Sequence, residues 1–376
     1  MEPYLLIFFV NLLLSFIANK CYDRTKIVSA LILFVLVAIN TVFSGFRDFG
    51  IGIDTTVYID SYFKNAQALS SLKDFWNLES GDKGFLLLAY ISTLFSNDSQ
   101  ALLVVTALFI QGFYFLSLWQ YKKAHQISIF LATTFFCIIF YGHTLNLMRQ
   151  FCAMSLLAFA FSLFIQGKWK VYGILQVIAF FFHSTSVIFI IVPILWQLSK
   201  MENTKLRNSY SIVAILGMAF FVTSFFYVVT ILGNIGVVSD VYSDRYGESG
   251  GYVKRAISTG TGLGKVFAFC YPIAFVVYAK VKKTVDSKLW YFIFMLCMLY
   301  SLLQLLAYQV SFMDRLAFYL SYIFYIVQVK VFSSKRMPLV VKVIMILLYM
   351  NNWYTMYVVH GGGDIYPYKS KILNIR

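Results

Sequence analysis

Apolar residues run along this chain in blocks too long for the faces of a soluble fold. Blocks able, or nearly able, to cross about 30 Å of hydrocarbon fall at roughly 4–19, 27–46, 99–119, 127–142, 150–166, 171–198, 210–232, 265–281, 289–308, 316–332 and 338–356. The block at 84–96, GFLLLAYISTLFS, is too short to cross and predicts an interfacial half-helix beneath the loop before it. The fold class is therefore all-α: a polytopic integral membrane helical bundle of about 11–12 spans plus that half-helix. Residues 1–376 read as a single transmembrane domain, with no linker, low-complexity tract or convincing internal repeat. The polar intervals leave two sizeable loops, about 47–83 and 233–264, and a tail, about 357–376.

Charge orients the bundle. Lys20, Arg24, Lys26, Lys122, Lys123, Lys168 and Lys170 flank one set of block ends. Lys200, Lys205 and Arg207, the lysines at 280–288, and the cations at 330–342 continue that set. These ends carry the whole formal excess of +15, and the remaining charges balance. By the positive-inside rule the basic ends are cytoplasmic, and the two loops and the tail are extracytoplasmic. The basic balance is thus a topology signal, and no nucleic-acid partner is expected. Both flanks of 171–198 are basic, so that block is expected to enter and return as a shortened hairpin with His183-Ser184-Thr185-Ser186 near its tip; a simple broken helix with different parity is the rival. The N-terminus carries Glu2 ahead of its apolar run and cations after it, the reverse of a signal peptide. An uncleaved first span with its N-terminus outside is expected.

Composition agrees: 60% hydrophobic and 12% charged, with a mean hydropathy of +0.75, where soluble domains are about 25% charged. The five cysteines stand singly, without disulfide or metal spacing. No Walker loop or Rossmann fingerprint occurs, and the basic connections are too short for a nucleotide site. No cofactor and no metal are expected, and any chemistry belongs to the extracytoplasmic face.

The candidate chemistry is a small set of charged groups at the mouths of apolar runs, where charge is expensive and usually functional. Arg149 opens a helix in LNLMRQFC and has no acid near it in sequence, which makes it the best free anion binder. The plainer reading is a helix-end cation reaching for lipid phosphate. Arg47 and Arg315 stand at comparable ends, each beside an acid (Asp48, Asp314) that would satisfy it locally. Arg245 and Arg255 in the second loop read as structural. Converging guanidinium groups would grip phosphate bidentately. The candidate bases are His183, Asp54, Asp60, His143 and His360. His183 would otherwise be a core histidine, and Asp54 an N-cap if a helix starts at Thr55. Among the loop aromatics, Tyr58, Tyr62, Trp76, Tyr242, Tyr246 and Tyr252 are placed to stack on sugar rings.

LNLMRQFCAMSL, a basic GKWK turn and IAFFFHSTSVIFIIVPIL together resemble the signature of the EpsG family of Wzy-type polysaccharide polymerases. FRDFGIGIDTTVY is similar to that family's Arg…Gly-x-Asp…Tyr stretch. GDKGFLLLAYIS, DRLAFYLSY and YPYKS match in order. The sequence departs after Arg-Gln, where Phe151 and Cys152 precede Ala153. The resemblance implies a lipid-dependent glycosyltransferase fold of the GT-C-like type in the bacterial cytoplasmic membrane, with its active site on the extracytoplasmic side. The growing glycan would pass from undecaprenyl pyrophosphate to the non-reducing end of a fresh lipid-linked oligosaccharide unit. Arg47, Arg149 and Arg315, with Gln150 and Tyr58, would hold the pyrophosphate, and His183 or Asp54 would take the acceptor proton. Membrane lipid and a chain-length-regulating co-polymerase are the other partners it suggests. The rival reading is a transporter or flippase of the same lipid-linked sugars, which would favour inverted repeats and Pro/Gly-broken helices; the chain has five prolines. A membrane O-acyltransferase is a third.

Overall fold

The computed structural model of the chain describes residues 1–78, 82–234, 263–307 and 312–375. The second long loop lies outside these residues, and with it Arg245, Arg255, Tyr242, Tyr246 and Tyr252. The described elements are helical, and the chain is an all-α, multi-pass membrane protein. Among the described residues, seven helical segments are long and apolar enough to cross a membrane: Glu2–Cys21, Lys26–Gly45, Gln100–His125, Ile129–Asn146, Ser287–Leu306, Met313–Phe332 and Leu339–Val359. Shorter apolar helices accompany them at Lys83–Thr93, Met148–Phe164, Trp169–Phe182, Ser184–Lys200 and Cys270–Val281. Two compact units result, Met1–Val187 with Pro338–Arg376, and Ile188–Met337.

The first unit begins with α1 (Glu2–Cys21) and α2 (Lys26–Gly45). Their apolar faces give no preferred register in lipid, so polar residues supply it. Asn11 and Asn40 exchange reciprocal side-chain hydrogen bonds of 2.9 Å, and Ser29 Oγ donates to Ala18 O at 2.9 Å. Next come α3 (Ile53–Gln67), α4 (Leu72–Asn77) and α5 (Lys83–Thr93). At 11 residues α5 is about 16 Å long, too short to cross, as its sequence required. The ammonium of Lys83 closes the carbonyl end of α4, donating to Phe75 O at 2.8 Å and Trp76 O at 3.1 Å.

The core of the unit is α6 (Gln100–His125), then α7 (Ile129–Phe135), which runs through a π-helical turn at Phe136–Phe140 into α8 (Tyr141–Asn146). Then follow α9 (Met148–Phe164) and α10 (Trp169–Phe182). α9 is almost wholly buried: Cys152, Ala153, Met154 and Leu157 are fully enclosed. Cys152 is thus a packing residue, as the scattered cysteines suggested.

At His183 the backbone leaves the helix (φ −162°, ψ 114°) for a 3-10 segment, Ser184–Ile190. Gln176 Nε2 nevertheless donates to Ser186 O at 3.0 Å. Ten residues of continuous helix would separate those positions by about 15 Å, so the helix does not run on through His183. The break falls at the His-Ser-Thr-Ser stretch.

Long-range bonds sort the two ends of this unit. At one end Lys122 Nζ lies 3.6 Å from Asp23, Ile129 N donates to Asn19 Oδ1, and Gln166 Nε2 donates to Gln120 Oε1. This is the end rich in lysine. At the other, the first loop, the start of α9 and the tail are bonded together. The unit is completed by α16 (Leu339–Tyr354), a π-helical turn at Thr355–Val359 and that tail.

The second unit holds α11 (Ile191–Lys200), α12 (Thr204–Asn234), α13 (Leu263–Val281), α14 (Ser287–Leu306) and α15 (Phe312–Phe332). Polar and cation–π contacts tie its basic helix ends. Tyr291 OH bonds Ser211 Oγ at 2.9 Å, with the Arg207 guanidinium 4.2 Å above the Tyr291 ring, and Lys280 sits 4.2 Å above Trp290.

Candidate active site

Two arginines organise, in different ways, the end of the first unit where the first loop, the start of α9 and the tail are bonded together. Arg47 follows α2 directly and is 2% exposed. Its Nε donates to Ile51 O at 3.2 Å and its Nη1 to Ser44 O. Its Nη2 reaches Thr55 Oγ1 at 3.0 Å, Leu145 O at 3.1 Å and Met148 Sδ at 3.0 Å. The expected local pair with Asp48 does not form, because Asp48 Oδ1 instead accepts from Lys371 N in the tail at 2.8 Å. Expected to hold pyrophosphate, Arg47 has its planar fork occupied by the loop that follows it and by the turn before α9. A buried guanidinium needs such partners for nearly every N–H.

Gly52 makes this clamp possible. It caps α3 at φ +87°, a conformation that favours glycine, and a Cβ there would run into the Leu145 carbonyl oxygen. The helix consequently starts at Ile53, and Asp54 is not the N-cap. Asp54 sits in the first turn, half-buried, with its backbone N–H donating to Asn146 Oδ1 at 3.3 Å. A carboxylate there also complements the positive end of the helix.

Arg149, in the first turn of α9, is the more exposed of the two. It is ion-paired to Asp82, so the expectation of an anion binder without an acid partner does not hold. The partner lies 67 positions away in the chain and is brought in as the residue that precedes α5. The guanidinium also lies over the Tyr58 ring, its Cζ 3.7 Å from the centroid. This arrangement leaves capacity. The Arg149 side chain keeps 14% exposure against 2% for Asp82. Asp82 takes one N–H, through Nη1, while the buried Nε has no hydrogen-bond partner among the described residues. Tyr62 stands beside the pair, and burial, followed by the Asp82 charge, raises its phenol to about 12. Its oxygen accepts from the Arg149 guanidinium, which can only donate. Gln150, the next residue of α9, is buried.

His183 follows α10, whose last residues pack against α5. Gly84 lets the two helices close up: a Cβ on it would come within 2.9 Å of Phe182 Cγ and 3.0 Å of the Phe181 backbone. Thus the imidazole, 6% exposed, follows a residue in contact with Gly84, and Asp82 is two residues from that glycine. Gly84→Val is expected to cost about 1–3 kcal/mol through overpacking and to displace the His183 turn. A thermal melt and an activity assay check this; unchanged values in both would mean the close approach is unimportant.

The other candidates have surroundings of their own. Asp60 accepts from Ser99 Oγ at 2.6 Å on the exposed side of α3. His143 is buried in α8, parallel to Phe151 and edge-on to Tyr357 at 5.5 Å. His360 is exposed after the last π-helical turn. Arg315 lies beside Asp314 at the start of α15, in the second unit. Among the described residues, no three of His, Cys, Asp and Glu gather as a metal-ligand set.

The RQ at the start of α9 and the D-x-G that begins α5 thus meet in one ion pair, and the FHS element follows the helix that packs on Gly84. The profile of the EpsG family matches residues 30–370, nearly the whole chain. The chain belongs to the EpsG family. No curated protein and no solved structure gives a significant match. Membership supports a polysaccharide-polymerase-like role in general terms.

The residue that sequence reasoning left out of the site is Asp82. Its signal was present in GDKGFLLLAYIS, an acid ahead of a glycine and a half-helix, but nothing local tied it to Arg149.

Proposed function

We propose that this EpsG-family protein is an extracytoplasmic, metal-independent polysaccharide polymerase. It transfers a growing glycan from undecaprenyl pyrophosphate to the non-reducing end of a lipid-linked oligosaccharide repeat unit. The observation that carries the reading is Arg149: a guanidinium over the Tyr58 ring, tethered through Nη1 by Asp82, on a side chain that keeps 14% exposure. Such a group presents rigid donors to a pyrophosphate and is already oriented when charge develops on it.

In the proposed step, the acceptor hydroxyl attacks the anomeric carbon of the growing chain. The bond from that carbon to the pyrophosphate oxygen breaks, and its electron pair leaves with the carrier. Arg149 and Gln150 stabilise the departing charge, and His183 accepts the hydroxyl proton, with Asp54 the alternative base. Arg47 acts at a distance, by fixing the turn from which Arg149 projects.

Purified protein in a nanodisc, given lipid-linked repeat unit alone with EDTA present, tests this. A product ladder spaced by one repeat is expected. Unchanged repeat unit, together with its movement between leaflets in proteoliposomes, would replace the polymerase by a transporter.

A further inference from the structure

A recess at the same end of the first unit takes no part in the scheme above. It is a cleft of about 630 Å³ between the first loop and the tail, within the size range of small-ligand sites, about 300–1,000 Å³. Its charged lining is mixed: Asp48, Asp98 and Asp364 face Lys369 and Lys371. Phe49 and Tyr366 contribute rings, and Gln100 an amide.

Several of these groups are not used by the fold. Asp364 makes no side-chain hydrogen bond among the described residues, although its carbonyl accepts from Gly52 N at 3.0 Å. Asp98 employs Oδ1 alone, on Gln100 N at 2.9 Å. Gln100 directs its amide N–H groups to Gly45 O and to Arg47 O at 3.1 Å, leaving Oε1 over. The cleft therefore offers acceptors, ammonium donors and aromatic faces while its charges nearly cancel. A polyanion would meet an excess of carboxylates there. A polyhydroxylated ring would meet partners for its hydroxyls and apolar faces for its C–H groups.

We propose that this cleft is a carbohydrate subsite, holding an uncharged stretch of oligosaccharide beside the charged pair. The inference rests on the polymerase reading for its substrate: the cleft would take the glycan arm and Arg149 the pyrophosphate end. The two are linked through Arg47, whose carbonyl is held by Gln100 and whose guanidinium bonds Met148, the neighbour of Arg149.

The test is binding of the free oligosaccharide repeat unit, released by mild acid from the polysaccharide of the protein's own host, to the full chain in nanodiscs. Saturation-transfer NMR and calorimetry would read the affinity. Phe49→Ala and Asp364→Asn are each expected to weaken it by about tenfold or more, while Arg149→Lys leaves it within about twofold. Asn suits position 364, which has φ +51°. Unchanged affinity in both cleft variants, or no binding by the wild type, would overturn the subsite. A wild-type protein that makes a ladder without such binding loses the subsite and keeps the polymerase. One that binds sugar in the cleft without making a ladder keeps the subsite and loses the polymerase.

Discussion

Arg149→Met is expected to abolish polymer formation and to lower stability by about 3–5 kcal/mol, because it leaves the Asp82 carboxylate buried without its counter-charge. The same loss of stability is expected of Asp82→Leu. The double variant Asp82→Leu/Arg149→Met should regain most of the stability, since replacing both members of a buried pair by apolar side chains is often neutral or better. It should regain none of the activity. The divergence separates two roles that a single substitution confounds. Full activity in the double variant would reduce the pair to a structural element, and the anion site would be lost with it. Arg149→Lys adds a finer test. It keeps the charge but not the planar fork over Tyr58, and a loss of at least about a hundredfold is expected, equivalent to about 2.7 kcal/mol of transition-state stabilisation. Melting curves in detergent and the ladder assay supply both readouts.

His183→Ala is the second large effect. As the base that takes the acceptor proton, His183 should contribute about 10²–10⁴-fold to the rate. Its removal should therefore suppress polymer formation by that factor while binding of undecaprenyl pyrophosphate changes by less than about threefold. The 6% exposure of the side chain and its place at the end of α10 allow a structural cost as well. His183→Gln, closer in size, controls for it. If binding falls in step with the rate in both variants, His183 is a substrate contact and Asp54 becomes the base.

The helical architecture was legible because its signals are local. Length and apolar character mark α1, α2, α6 and α14, and the brevity of the run at 84–96 marks α5. Equal charge on both flanks of 171–198 marks a break within that block, and the helix ends at His183. The site was legible only as a set of residues. Arg149 looked free because its acid is distant in sequence, and charge pairing across 67 positions leaves no periodic trace. Arg47 looked like a second anion binder because its acceptors are mostly backbone carbonyls and a thioether, groups that composition does not reveal. Asp54 looked like a cap on the expectation that the helix starts at Thr55. The left-handed Gly52 instead starts the helix one residue ahead of Asp54.

The central claim is that each new linkage is made by expelling the carrier pyrophosphate from the growing chain. The measurement that tests it most directly counts undecaprenyl pyrophosphate released per linkage, after a pulse of labelled repeat unit is chased with unlabelled unit. The account predicts one carrier released per bond formed, with the latest unit of each chain still attached to its carrier and the label displaced away from it. Chain growth without carrier release, or new units appearing at the end remote from the carrier, would contradict it.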